Sequence, residues 1–195
     1  MKRRKVLKRI AVYCGANKGN NPVYQEQAKK LGKWMVSQGY GLVYGGGNVG
    51  LMGIIADMVL QEGGEVIGVM PTFLVDREIA HPSLTELIVV KDMHERKKKM
   101  MDEADCYLAL PGGPGTLEEI SEAISWARVG EHAHPCVLLN PNGYYDLLAD
   151  FFNHMVTEGF LSQEDRENIL ITESFDTIEE FIRNYQAMKV RSYKE

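Results

Sequence analysis

Seven short apolar runs alternate with segments of helical period along most of the chain, and that alternation leaves few folds open. Ile10 to Cys14, Gly41 to Tyr44, Glu65 to Met70, Glu86 to Val90, Cys106 to Leu110, Pro135 to Asn140 and Asn168 to Thr172 read as strands. Most are continuously apolar, as parallel strands covered on both faces must be. Between them, Asn21 to Ser37, Leu51 to Gln61, His94 to Glu103, Thr116 to Val129, Tyr144 to Glu158 and Thr177 to Ala187 have helical spacing and length. Strands alternating with helices of this length predict an α/β fold, a doubly wound, mainly parallel sheet of about seven strands with helices on both faces. In such sheets ligands gather beyond the carboxyl ends of the strands, where the strand order reverses. The glycine-rich and polar punctuation of the chain falls at those ends.

The chain of 195 residues carries no internal repeat, low-complexity tract or linker, so residues 1–195 read as one domain. A net charge of -5 argues against nucleic acid as a partner, although six basic residues crowd the start. That basic run reads as a solvated lead-in to the first strand. Lys8 and Arg9 interrupt any apolar stretch a secretory signal would need, and no segment has the apolar length of a membrane span. Cys14, Cys106 and Cys136 are odd in number and widely spaced within apolar runs, which suggests reduced, buried thiols and a cytoplasmic location.

The chemistry concentrates in Pro111-Gly112-Gly113-Pro114-Gly115-Thr116-Leu117-Glu118-Glu119, a glycine-rich turn between an apolar run and a helical pattern. Glycines let backbone amides approach an oxyanion, and the unpaired amides and positive dipole end of the following helix favour a phosphate. Glu119 is not needed to hold that phosphate, which hints at chemistry on whatever the phosphate carries. An ordinary first-turn preference for acids explains Glu118 and Glu119 equally well. Spacing separates them: three residues after Thr116, Glu119 can share its side, while Glu118 points about a quarter-turn away. Arg96 and Lys97 fall near a predicted helix start, where the dipole disfavours cations, and a bound anion would remove the conflict at Arg96. The outer lysines of Lys97 to Lys99 read as a solvated basic face. Gly45, Gly47 and Gly50 match the spacing of a dinucleotide fingerprint, but the turn follows the second strand and Glu65 begins the next one. A tight strand-to-helix turn and a direct ligand contact both remain open there. The histidines lack companions at metal-ligand spacing, so no metal is implied.

Gly45 to Gly53, Met93-His94-Glu95-Arg96-Lys97 and Pro111 to Glu119 together resemble the LONELY GUY family of cytokinin-activating enzymes, a likeness covering nearly the whole chain. The resemblance implies a Rossmann-like fold, a homodimer and hydrolysis of the N-glycosidic bond of adenosine 5′-monophosphates, often N6-prenylated, to free base and ribose 5-phosphate. It implies Arg96 and Glu119 as the catalytic pair. It implies substrate-binding roles for Arg96, Lys97, Gly112, Gly113, Gly115, Thr116, Gly46, Glu78 and Ser125, with no cofactor. Ser125 stands where many relatives have threonine, Arg128 replaces a frequent glutamine and His134 a frequent lysine, departures that bear on base preference or dimer contacts. The older label of lysine decarboxylase finds no support in a recognisable pyridoxal phosphate site. A sensor or carrier module without catalysis would share the phosphate grip, and retention of both Arg96 and Glu119 favours the enzyme. A nicotinamide oxidoreductase would need the glycine-rich turn after the first strand, where Cys14 to Gly19 lacks it.

Overall fold

A computed structural model describes residues 9–75, 77 and 80–190. Seven strands, β1 (Arg9–Tyr13), β2 (Gly41–Tyr44), β3 (Val66–Pro71), β4 (Glu86–Val90), β5 (Cys106–Ala109), β6 (Cys136–Leu139) and β7 (Ile169–Thr172), form one sheet in the order β4-β3-β2-β1-β5-β6-β7. Every ladder is parallel, a stricter outcome than the mainly parallel sheet expected. The five central strands are buried, while β4, at one edge, is largely exposed.

Helices α1 (Pro22–Ser37), α2 (Gly50–Gln61), α4 (Met93–Asp102), α5 (Pro114–Val129), α6 (Asp146–Thr157) and α8 (Phe175–Asn184) correspond to the six expected. Two short ones, α3 (Thr72–Val75) and α7 (Gln163–Glu167), were not foreseen, being too brief to show a period. Chain direction decides which face each helix covers. Stepping from β1 to β3 by right-handed crossovers puts α1 and α2 on one face, and stepping back from β5 to β7 puts α5 and α6 on the other. The packing agrees. Leu31 and Met35 of α1, Ile55 and Val59 of α2 and Ile178 of α8 share one core. Met100 of α4, Ile120 and Ala123 of α5 and Phe152 of α6 share the second.

The reversal of strand order falls between β1 and β5, whose register runs from Ile10 opposite Cys106 to Tyr13 opposite Ala109. Beyond that pair the chain splays in opposite directions and a crevice must open. Two hydrogen bonds fix its floor. Leu110 N–H donates to Tyr13 O at 2.9 Å, and Gly15 N–H donates to Pro111 O at 3.1 Å.

Local chemistry sets the helix starts that frame the crevice. Asp92 caps α4 by accepting from the amides of His94 and Glu95, both at 3.0 Å, and those bonds hold its carboxyl below the usual range. Gly113 caps α5 with Pro114 in its first turn, so the helix begins two residues before the expected Thr116. Proline brings no N–H, and the amides of Gly115 and Thr116 have no carbonyl four residues back within the helix. Those donors open toward the crevice.

Candidate active site

The crevice is a cleft of about 380 Å³. Its floor is the Cys14 to Gly19 loop after β1. One wall is the β5–α5 turn with Tyr144, and the other is built from Leu51, Met52, Leu74 and Arg96. Among the described residues lining it, the charged side chains are Lys18, Arg96 and Glu119.

Arg96 and Glu119 meet at 3.2 Å, Nη1 to Oε1, with side chains only 13% and 10% exposed. The Arg96 guanidinium is held from behind by Nε donating to Val69 O of β3 at 3.3 Å. Its Nη2 lies where a Cβ on Gly45 would stand, so the strand-end glycine makes room for the cation. Burial pushes the Glu119 carboxyl above its ordinary value of 4.5, and the Arg96 charge acts in the opposite direction.

Adjacent residues on a helix point about 100° apart, and the two helices use this twice. Arg96 and Glu119 face the cleft. Lys97 and Glu118 face along the α4–α5 seam, with Lys97 Nζ at 2.9 Å from Glu118 and 3.1 Å from Glu122. Lys97 is buried, so the solvated basic face begins at Lys98, which pairs with Asp102. Side by side, the two sets of pairs bolt α4 to α5.

The turn supplies the anion-facing part. Thr116 is buried beside Gly112, and a Cβ at Gly112 would run into its hydroxyl, so this glycine is dictated by close approach. Gly112, Gly113, Gly115 and Thr116 all line the cleft with Arg96 and Glu119. Besides Lys97, the expected residues Gly46 and Ser125 do not line it. Gly46 sits in the buried β2–α2 turn at φ +81°, its carbonyl accepting from His81 N–H at 3.0 Å. Ser125 is exposed near the far end of α5. Glu78 lies outside the described residues.

The Gly45 to Gly50 turn, open between two readings on sequence, does a structural task at Gly45 by seating Arg96. Its Gly50 packs against the Ala16 backbone. His81 and His132 do structural work as well. His81 Nδ1 accepts from Ser83 N–H at 3.2 Å, which leaves Nε2 to donate to Asp57 at 3.0 Å. His132 accepts at Nδ1 from His134 N–H and bonds Ala123 O through Nε2 at 2.7 Å, and burial lowers its pKa. No group of three metal-ligating side chains occurs among the described residues. Tyr24, Tyr144 and Lys18 line the cleft without any motif having marked them. On sequence, Tyr144 reads only as the first residue of a helical segment.

A family described as "Possible lysine decarboxylase" matches residues 52–184. The rice "Cytokinin riboside 5'-monophosphate phosphoribohydrolase LOG" is 44% identical over 188 residues, covering 94% of this chain and 78% of its own. The Arabidopsis thaliana "Cytokinin riboside 5'-monophosphate phosphoribohydrolase LOG7" is 48% identical over 164 residues, covering 84% of this chain and 76% of its own. The chain belongs to the LOG family. Among solved structures, the molybdenum cofactor binding protein of Rippkaea orientalis superposes with a TM-score of 0.68 at 22% identity, covering 92% of this chain and 98% of that one. A likeness at that identity speaks for the Rossmann-like fold alone. Among the described residues no helix is long and apolar enough to cross a membrane.

Two predictions follow from the pair and its seat. Gly45→Ala should fold normally, since the displaced atom is the end of a flexible side chain, yet turnover of the substrate proposed below should fall at least about tenfold as Arg96 moves. Parallel melting and steady-state assays check this. Glu119 has a folded pKa above its unfolded one, so its ionisation opposes folding as pH rises through 4.5 and beyond. Urea titrations at several pH values should show Glu119→Gln gaining on the wild type with rising pH, and a pH-independent difference would refute the burial effect.

Proposed function

We propose that the protein hydrolyses the N-glycosidic bond of adenosine 5′-monophosphates, including N6-substituted ones, to free base and ribose 5-phosphate. The observation that carries this reading is the buried Arg96–Glu119 pair standing beside an open helix N-terminus in one cleft. The relatives named as cytokinin riboside 5′-monophosphate phosphoribohydrolases support it.

The 5′-phosphate belongs on the amides of Gly113, Gly115 and Thr116, with the Thr116 hydroxyl alongside. That placement turns the ribose toward Glu119. As the C1′–N9 bond lengthens, positive charge grows on the sugar, and a carboxylate in a water-poor site interacts with it more strongly than with the neutral ground state. Water then forms the new C1′–O bond, its proton leaves, and the departing base takes up a proton. Among the described residues lining the cleft, Glu119 is the carboxylate able to receive the water's proton. A guanidinium offers hydrogen-bond donors and no acceptor, so the work of Arg96 is to hold the Glu119 carboxylate and to position the nucleotide.

Lys97 and Gly46 serve this site through the scaffold, the first by locking α4 to α5 and the second through the turn that seats Arg96. Glu78 is assigned a substrate contact. Ser125 lies too far along α5 to join its own cleft and belongs to the reading only through a second chain, so the assembly proposed is a homodimer. The buried free thiols of Cys14, Cys106 and Cys136 suit a cytoplasmic protein.

Hydrolysis of adenosine monophosphate, its isopentenyl derivative, other nucleoside monophosphates and adenosine, followed by chromatography of the free base, tests the proposal. A strong preference for 5′-phosphorylated substrates is expected, and equal use of adenosine would refute the phosphate site. Glu119→Gln should lower kcat by about 10²- to 10³-fold with KM changed little. Full turnover by that variant would remove Glu119 from the chemistry.

A further inference from the structure

The segment from Asn140 to Asp146 leads from β6 into α6 beside the β5–α5 turn and is tied at several points. Asn140 N–H donates to Thr172 O at 2.9 Å, its side-chain amide donates to Asp146 Oδ1 at 2.8 Å, and its side-chain oxygen accepts from Tyr145 N–H at 2.6 Å. Asn142 (φ 56°) and Gly143 (φ 67°) both take the left-handed conformation, which an Asn-Gly pair tolerates, and the chain reverses. Two adjacent tyrosines therefore turn back onto the neighbouring turn. Tyr145 donates its hydroxyl to Leu110 O at 2.7 Å, and Tyr144 donates its own to Gly112 O at 2.5 Å.

These two bonds differ in kind. Tyr145 is buried and anchors the end of β5, as a core residue would. Tyr144 is 41% exposed, lines the cleft and is steadied by edge-on contacts with the rings of Tyr24 and Tyr145 at 5.6 and 4.9 Å. Its hydroxyl grips the peptide joining Gly112 to Gly113. That peptide lies between two residues without Cβ atoms and so has more rotational freedom than others in the turn. In a planar trans peptide the carbonyl and the amide point in opposite directions, so fixing Gly112 O also fixes Gly113 N–H.

We propose that Tyr144 is a positioning residue for the 5′-phosphate, locking the Gly112–Gly113 peptide so that the turn's amides are aimed before substrate arrives. The inference rests on the phosphate reading of the turn. Tyr144→Phe keeps the ring and its packing and deletes only the hydroxyl. Calorimetric titration with ribose 5-phosphate, adenosine monophosphate and adenosine, together with steady-state kinetics and a thermal melt, tests the role.

The expected result is a fivefold to tenfold loss, in order of magnitude, of ribose 5-phosphate affinity with a matching rise in KM for adenosine monophosphate. Turnover should stay within about twofold, adenosine affinity should not change and the melting temperature should hold. Ribose 5-phosphate affinity within twofold of the wild type would overturn the assignment. So would an equal loss for adenosine and its monophosphate, which marks a general structural effect. Failure of the wild type to bind ribose 5-phosphate would remove the phosphate reading and this inference with it. Tight binding by both proteins would remove the role of Tyr144 alone.

Discussion

The Glu119 carboxylate, withdrawn from water and set against the Arg96 guanidinium, is the interaction around which the cleft is organised. Removing two charges from solvent costs several kcal/mol per ion, in order of magnitude, and their attraction repays this only when the geometry is good. The surroundings supply that geometry. Val69 O holds the guanidinium from behind, Gly45 leaves room for its tip, and the Lys97 pairs with Glu118 and Glu122 fix the spacing of the two helices. A pair of this kind is a weak source of stability, and its place in an open cleft gives it a different use. Near a sugar that becomes cationic, a carboxylate already desolvated and already oriented needs no rearrangement.

Topology brings the parts together. Arg96 sits near the start of the helix after β4, at one edge of the sheet, and Glu119 near the start of the helix after β5, next to β1. Helix α4 carries the chain from the edge back to the centre, so its beginning and that of α5 lie at the same carboxyl end of the sheet. The same reversal between β1 and β5 leaves a gap that no strand crosses. The phosphate turn, the ion pair and the Tyr144 brace all border this gap, although they come from three separate connections.

Much of this was legible in the sequence, for identifiable reasons. Central strands such as Leu42 to Tyr44 and Cys106 to Ala109 are covered on both faces, so their runs are apolar without interruption. The glycine-rich turn was readable as a strand-to-helix turn, and within it Gly112 is dictated by its close approach to Thr116, whereas a Cβ at Gly113 or Gly115 would meet nothing. Helix limits were less so. The early start of α5 depends on a Gly-Pro cap, and the late start of α6 depends on left-handed Asn142 and Gly143, which leave Tyr144 and Tyr145 in the connection. The partnership of Arg96 with Glu119 carried no local signal, since 23 positions and a strand separate them. Lys97 could not be distinguished from its exposed neighbours, because its burial comes from acids on another helix. Ser125 and Gly46 rested on resemblance, and the chain places them away from the cleft.

A crystal structure of the full chain carrying Glu119→Gln, soaked with adenosine monophosphate, tests the central claim most directly. The account predicts phosphate oxygens about 2.7–3.2 Å from the amides of Gly113, Gly115 and Thr116, with C1′ of the ribose facing position 119. A phosphate lodged elsewhere, on the Gly45 to Gly50 turn for instance, or a ribose turned toward bulk solvent, would contradict it.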